Sequence, residues 1–335
     1  MKGFDLWNGL LEYARWSPSP HNTQPWKVKL ISATDADLFY DPSRLLPDED
    51  PDGMFMTVGM GVFVEMLSIA ARGEGYDIDF QYSGARLDKK ETKPTFFGHL
   101  RLEKNKKREV LDRELIKQRR TSRLAYNSQP IGNTIIQELQ VIAKDFGETF
   151  TFSSDPRIVD WIVRLNKDTM FYDMADQKTR EEVGGWIRYS LKEASQKKDG
   201  LWAYCMNVAS SVMYLFFNAR WIVNLPGVYQ IAGKIYLGTM KGTKTVAWLQ
   251  GPFTVPDDWV RAGRMLARLW LTMTKYGIGL HPFGSIITNR KSHARLREKF
   301  KADESKNMMW LIMRLGYSDT PPRSFRLPLS EILLP

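Results

Sequence analysis

Cysteine is almost missing from this chain: Cys205 is the only one in 335 residues. One thiol forms no internal disulfide and supplies no cysteine cluster for zinc, which fits a reducing cytoplasm. Histidine is scarce as well. His21, His99, His281 and His293 are scattered without metal-ligand spacing, so no metal centre is expected. Complete nucleotide motifs are lacking. Gly59-Met60-Gly61 has no third glycine of a dinucleotide fingerprint and lies inside a helical pattern. Gly242-Thr243-Lys244-Thr245 carries Thr243 where a phosphate loop requires its second glycine. No Gly-x-Ser-x-Gly elbow supports a serine hydrolase. Asp5, Glu12 and Arg15 interrupt Met1 to Trp16, which therefore lacks the apolar centre of a secretory leader. The most apolar stretch, Trp202 to Leu225, is broken by Asn207, Ser210, Ser211, Asn218 and Arg220. It falls short of the ~20 predominantly apolar residues of a membrane span and reads as a buried or interfacial helix, with no stable membrane insertion expected.

Apolar residues make up 43% of the chain and aromatics 12%, enough for a full core. The length suits two units of ~150 residues. The net charge of +10 favours anionic partners. Nine of the basic residues lie between Lys104 and Arg123, including Lys106, Lys107 and Arg108. Such a run reads first as a solvated helix face.

Apolar spacing predicts helices over Phe4 to Arg15, Asp52 to Gly73, Glu109 to Gln118, Ile131 to Phe146, Pro156 to Phe171 and Asp257 to Tyr276. Strands are expected at Trp26 to Ile31, Ala36 to Tyr40, Ile78 to Tyr82, Lys244 to Leu249 and Met308 to Leu315. Asp176 to Gln230 reads as mostly helical and aromatic-rich, and the tail from Pro321 to Pro328 as extended. Gly59, Gly73 and Gly75 recur as Gly263, Gly277 and Gly279 at one offset of 204, and Val62, Met66 and Leu67 as Leu266, Trp270 and Leu271. That pattern suggests a duplicated α+β unit built on a long helix with a Gly-x-Gly turn.

Three segments carry candidate chemistry. Ser17 to Trp26 (Ser-Pro-Ser-Pro-His-Asn-Thr-Gln-Pro-Trp) is stiffened by prolines and full of short donors and acceptors. It suits a planar polar heterocycle, and suits a capped rigid turn as well. Arg119-Arg120-Thr121-Ser122-Arg123 offers three guanidinium forks for a phosphate, or a basic helix end that complements the dipole. Arg323-Ser324-Phe325-Arg326 offers a second anion clamp or a plain basic tail.

Together these segments resemble the FMN-dependent nitroreductase family. Pro18 to Trp26 resembles the family's flavin-contacting loop, and Arg119 to Arg123 its phosphate-binding opening. Arg323 to Pro328 looks like its C-terminal basic pair, and Gly279 to Gly284 like the turn beside the flavin ring. The order departs from ordinary members, in which the basic motif precedes the loop. Here the loop lies only in the first half and the basic motif only in the second, so one composite site can form. That arrangement matches the fused, duplicated Acg-like branch, as do Asp41-Pro42-Ser43-Arg44 and Arg314-Leu315-Gly316-Tyr317.

The resemblance implies an α+β nitroreductase-like fold of two tandem halves, 1–105 and 106–335, forming an intramolecular pseudo-dimer with a helical lid at about 176–241. It implies bound FMN, with Arg119, Arg326 and Arg323 on the phosphate and Arg120 and Thr121 beside them. Arg123 would face the ring edge that gains charge on reduction, the one candidate catalytic residue. Pro18, Ser19, Pro20, Asn22, Pro282 and Gly284 would line the ring. NAD(P)H would then reduce a small acceptor such as a nitroaromatic or quinone. The expected setting is a cytoplasmic monomer or homodimer without nucleic-acid partners. Two rivals stand beside this reading: an FMN-sequestering protein whose lid excludes nicotinamide, and a nucleic-acid binder using Lys104 to Arg123.

Overall fold

A computed structural model describes residues 4–105, 109–219, 221, 225 and 227–335. Lys106, Lys107 and Arg108 of the basic run lie outside the described residues. The fold is α+β. Helix α1 (Asp5–Ala14) leads into strands β1 (Trp26–Leu30) and β2 (Asp35–Tyr40), helix α2 (Met54–Gly73), and strands β3 (Tyr76–Tyr82) and β4 (Thr95–Lys104). Helices α3 (Glu114–Gln118) and α4 (Asn133–Asp145) and strand β5 (Thr149–Ser153) follow. A long helical segment comes next: α5 (Pro156–Asp173), α6 (Gln177–Gly185), β6 (Ile187–Arg188), α7 (Leu191–Lys197), β7 (Leu201–Trp202), α8 (Ser210–Asn218) and α9 (Val228–Thr239). Strand β8 (Thr245–Gly251), helix α10 (Pro256–Lys275), strand β9 (Gly279–Pro282), helices α11 (Ser285–Thr288) and α12 (Arg290–Phe300) and strand β10 (Met308–Gly316) complete the second half. Helix α13 (Leu329–Ile332) and strand β11 (Leu333–Leu334) end the chain.

The two main sheets share one topology. The first runs β1-β2-β4-β3 and the second β5-β8-β10-β9, antiparallel throughout. Each has an irregularity in the corresponding pair, between Leu38 and Phe39 and between Met309 and Leu311. The tail then crosses over: β11 pairs in parallel with β1, Val28 opposite Leu333, so the last residues of the chain finish the first sheet.

Helices α2 and α10 pack against each other at the centre. Helix α2 is apolar along most of its length because it is covered on both faces, whereas α10 is amphipathic, with Arg261, Arg264 and Arg268 off its buried stripe; Phe63, Leu67, Met265 and Leu269 are fully buried. Each such side chain contributes roughly 1.5–3 kcal/mol. Both helices are 20 residues long, and their starts, Met54 and Pro256, lie 202 residues apart. Gly75 and Gly277, the left-handed turn residues (φ 80° and 69°) after each helix, are also 202 apart. The repeat expected at an offset of 204 therefore has a different register in space. Gly73 belongs to its helix while Gly279 starts a strand.

Several local expectations are revised. The helix foreseen from Glu109 forms only over Glu114–Gln118. The Glu109 carboxylate binds the Val110 and Leu111 amides and two arginines, and the Asp112 carboxylate takes the Glu114 amide, which competes with helical bonding. Strands β4, β5 and β9 were not foreseen, although β4 sets Leu100 and Leu102 between His99, Arg101 and Glu103, and β5 sets Phe150 and Phe152 between Thr149, Thr151 and Ser153. The segment from Asp176 onward is mostly helical, as expected, but in short pieces rather than one run. The two-residue parallel pair β6–β7 and a left-handed Asn207 (φ 57°) interrupt it.

Candidate functional site

The loop after α1 is held in an uncommon shape. His21, Asn22 and Gln24 all have φ between 47° and 56°, sparsely populated for residues with a Cβ. The surroundings enforce it. The Ser19 hydroxyl accepts the Gln24 amide at 2.9 Å, and the Gln24 side chain donates to Lys198 O and accepts from Leu327 N. The Asn22 side-chain amide donates to the carbonyls of Gly200 and Phe325, each at 3.2 Å. The loop, the short strap at residues 198–202 and the tail are thus tied into one unit. Pro18, Ser19 and Pro20 are half-buried on its open side, and Pro20 packs where Gly59 of α2 carries no side chain.

The strap is fixed by a buried ion cluster. Asp199 accepts from Arg188 at 2.7 Å and from Arg44 at 3.0 Å, and Arg44 also donates to Thr23 O. Farther along, Glu182 of α6 accepts the backbone amides of Asp48 and Glu49. His21 Nε2 lies 2.9 Å from Glu49. Burial disfavours the imidazolium, but Glu49 and Glu182 outweigh it and raise the His21 pKa.

The basic segment after α3 runs beside β9. Thr121 bridges to Leu280, and Ser122 N donates to Leu280 O. Arg119 is 6% exposed, lies 4.5 Å over the Trp270 ring, and has Nε and Nη1 buried without partners. Burial, and then repulsion from Arg326 and Arg323, push its pKa well below the usual arginine range. A guanidinium keeps its proton in proteins, so Arg119 is a buried cation whose Nε and Nη1 have no partner among the described residues. Arg326, half-buried, is pushed down to about 10 by burial and by Arg323. Arg326 donates to the carbonyls of Ser17 and Phe325, and Arg323 sits 3.5 Å over Trp16. Arg120 turns to the tail, donating to Pro321 O at 2.6 Å. Arg15, Trp16, Lys198, Arg323 and Arg326 line a cleft of about 490 Å³ beside this cluster.

Arg123 has burial, first of all, lowering its pKa. It faces His281, whose pKa is pushed well below normal by burial and then by Arg123 and Arg314. His281 is therefore neutral, and its Nδ1 accepts from Arg314 Nε at 3.2 Å. Arg314 is fully buried and also donates to Leu124 O at 2.9 Å. Pro282 and Gly284 follow on the same strand and turn, both half-buried. Cys205, just after β7, is buried beside Ser324, Arg123, Arg326 and Arg120, and burial raises its thiol pKa.

The fold thus brings Arg119, Arg323 and Arg326 together, and Arg123 beside the β9 turn. The loop joins them through the tail. The basic run is not one solvated face: Lys117 lies over Tyr13, Arg113 pairs with Glu74, and Arg119 is buried. Arg15, Trp16, Trp270, His281 and the Arg44–Asp199–Arg188 cluster were not identified from sequence. Arg314 had a signal of its own, one arginine inside the apolar run Met308–Gly316.

This α+β arrangement, with a basic cluster and a strained loop tied together through the tail, is accompanied by sequence similarity to a probable nitroreductase. No family model matches the chain. Over 310 residues it is 23% identical to the Probable NAD(P)H nitroreductase PigM of Serratia sp. (strain ATCC 39006), covering 86% of this chain and 82% of that protein. Among solved structures, the FMN-dependent nitroreductase NfnB of Mycobacterium smegmatis in complex with NADPH is 16% identical, over 65% of this chain and 94% of its own, with a TM-score of 0.43. A Bacteroides fragilis nitroreductase with bound FMN is 11% identical over 64% of this chain and 92% of its own, with a TM-score of 0.35.

Proposed function

We propose that this protein is an FMN-dependent oxidoreductase that passes electrons from NAD(P)H to a small acceptor such as a nitroaromatic or quinone. The observation that carries the reading is the buried, unpartnered Arg119 guanidinium with Arg326 and Arg323 beside it. Among the described residues none of the three has an ion pair. A phosphate dianion would satisfy these donors, and the relationship to a nitroreductase supports FMN as its bearer.

Bound FMN supplies a two-electron relay between nicotinamide and acceptor. The chain's own residues bind and orient it. Arg119 and Arg326 hold the phosphate, and Thr121 lies next to it. Arg123, with the buried neutral His281 and Arg314 beside it, would supply a fixed positive charge to the flavin as it gains electrons. Pro18, Ser19 and Pro20 present a rigid wall that needs little ordering on binding. The matching sheet topologies and paired central helices support a fused, duplicated pseudo-dimer. With the loop in one half and the basic motif in the other, one FMN per chain is expected.

A second reading is FMN sequestration. It is favoured by the latch across the loop, in which Asn22, Gln24, Arg44 and Glu182 all hold the strap or α6 closed. Purified protein should be yellow and release one FMN per chain on denaturation. Anaerobic NAD(P)H should bleach the flavin within seconds if the protein is a reductase, and leave it oxidised if it sequesters. A colourless protein that takes up no added FMN would refute both.

A further inference from the structure

The segment from α8 to α9 leaves unusual surface uncovered. The two helices meet through their inner aromatics: Phe216 and Tyr229 both pack on Phe171 of α5, at 6.1 and 5.9 Å. Their outer faces carry Val212, Tyr214 and Leu215 on α8 and Ile231 and Ile235 on α9, all exposed. Trp221, between them in sequence, is 72% exposed, and Ile231 and Ile235 are each 61% exposed. Tyr204, Tyr214 and Trp221 of this aromatic-rich segment are exposed rather than packed down. Large exposed apolar groups gathered in this way mark an interaction surface.

The charge around them says what kind. From Leu201 to Val255 the chain has no aspartate or glutamate, and its charged residues there are Arg220, Lys234, Lys241 and Lys244. Lys234 is exposed between Ile231 and Ile235 on the outer face of α9, and Lys241 and Lys244 are exposed just beyond it. Tryptophan, tyrosine and branched aliphatics beside lysines, with no acid in the segment, are the composition of helices that lie in a membrane interface. A second copy of this segment would bring lysine against lysine with no carboxylate of the segment to offset it. The one described helix apolar enough to cross a bilayer, Met54–Gly73, is 89% buried in the core, so contact is from the side rather than by spanning.

We propose that the outer faces of α8 and α9 dock on an anionic lipid surface, with Trp221, Ile231 and Ile235 entering the headgroup region and Lys234 and Lys241 pairing with lipid phosphates. The inference is independent of the flavin reading. The full chain should co-sediment with phosphatidylcholine vesicles that contain phosphatidylglycerol, and binding should weaken with added salt. Phosphatidylcholine alone should bind much less. Lys234→Ala should weaken binding about fivefold. Trp221→Ser and the pair Ile231→Ser with Ile235→Ser should abolish sedimentation while far-UV circular dichroism stays unchanged, since these side chains are exposed. The proposal is overturned if the chain ignores anionic vesicles or if the serine variants bind like the parent. It is also overturned if gel filtration shows a parent dimer that those variants dissolve, which would mark the face as a contact between copies.

Discussion

Gly61 and Gly263 face each other where the two central helices cross. A Cβ on Gly61 would stand 2.3 Å from the Val260 carbonyl oxygen, and one on Gly263 would stand 2.1 Å from that of Val58. The contact is reciprocal under the 202-residue offset. Gly61 corresponds to Gly263 and Val58 to Val260 in that register. Backbone cannot yield there as a flexible side chain could. Gly61→Ala or Gly263→Ala should therefore destabilise by about 3 kcal/mol, the upper end for overpacking. Alanine at Gly9, which has open space around it, serves as the control in thermal melting. Equal melting temperatures for all three variants would contradict the crossing.

Glu65 and Glu109 hold Arg268 between them at 2.6 and 2.9 Å, joining α2 and α10 to the segment after β4. Burial opposes the Glu109 charge, but Arg268 and Arg72 hold its pKa down to about 2. Its folded pKa thus lies below the ordinary ~4.3. The stability it contributes is present above that value and is lost as pH falls from about 4 toward 2. Glu109→Gln should lower the melting temperature at pH 7 and make it less sensitive to pH over that window. A parent and variant whose acid limbs run parallel would show that Glu109 is not the titrating group.

Glu148 behaves in the opposite sense. Burial pushes its pKa up to about 7, only partly offset by the Trp310 indole donating to it at 2.6 Å. The folded state favours the protonated acid, so its contribution is present below ~4.3 and is lost as pH rises through about 7. Glu148→Gln keeps an acceptor for Trp310 and removes the charge. It should melt higher than the parent at pH 8, with the difference shrinking toward pH 5. A pH-independent difference would refute the assignment.

Arg119 should cost the apoprotein stability and give it affinity. Arg119→Met removes a buried cation without a partner, so the apoprotein should melt higher than the parent. FMN affinity should fall by about 1.5–3 kcal/mol, the scale of a hydrogen bond to a charged group. Calorimetric titration of FMN and apoprotein melting read the two effects separately. Unchanged FMN affinity would remove Arg119 from the phosphate site.

Asp199→Ala should open the strap, because Arg188 and Arg44 lose their shared carboxylate. Breaking a buried pair costs about 3–5 kcal/mol, here concentrated on local opening. Amide exchange across residues 198–202 should quicken more than exchange in α2 or α10. Uniform acceleration throughout the chain would mean that Asp199 supports global folding instead.

Much of this protein was readable from its sequence where the causes are local. The helical stripes of α1, α2 and α10, the proline-stiffened loop at Pro18 to Asn22 and the basic run at Arg119 to Arg123 depend on residues near one another in the chain. Spacing and side-chain chemistry specify such features directly. What depended on distant contacts was settled in three dimensions. The 202-residue register comes from which glycines allow the helices to touch, and a sequence offset of 204 aligns glycines that do different work. Strand β11 finds β1 because the tail crosses to an open sheet edge, a choice two leucines do not encode alone. That Arg119 is a buried cation with Arg323 and Arg326, some two hundred residues later in the chain, beside it was decided only by the fold.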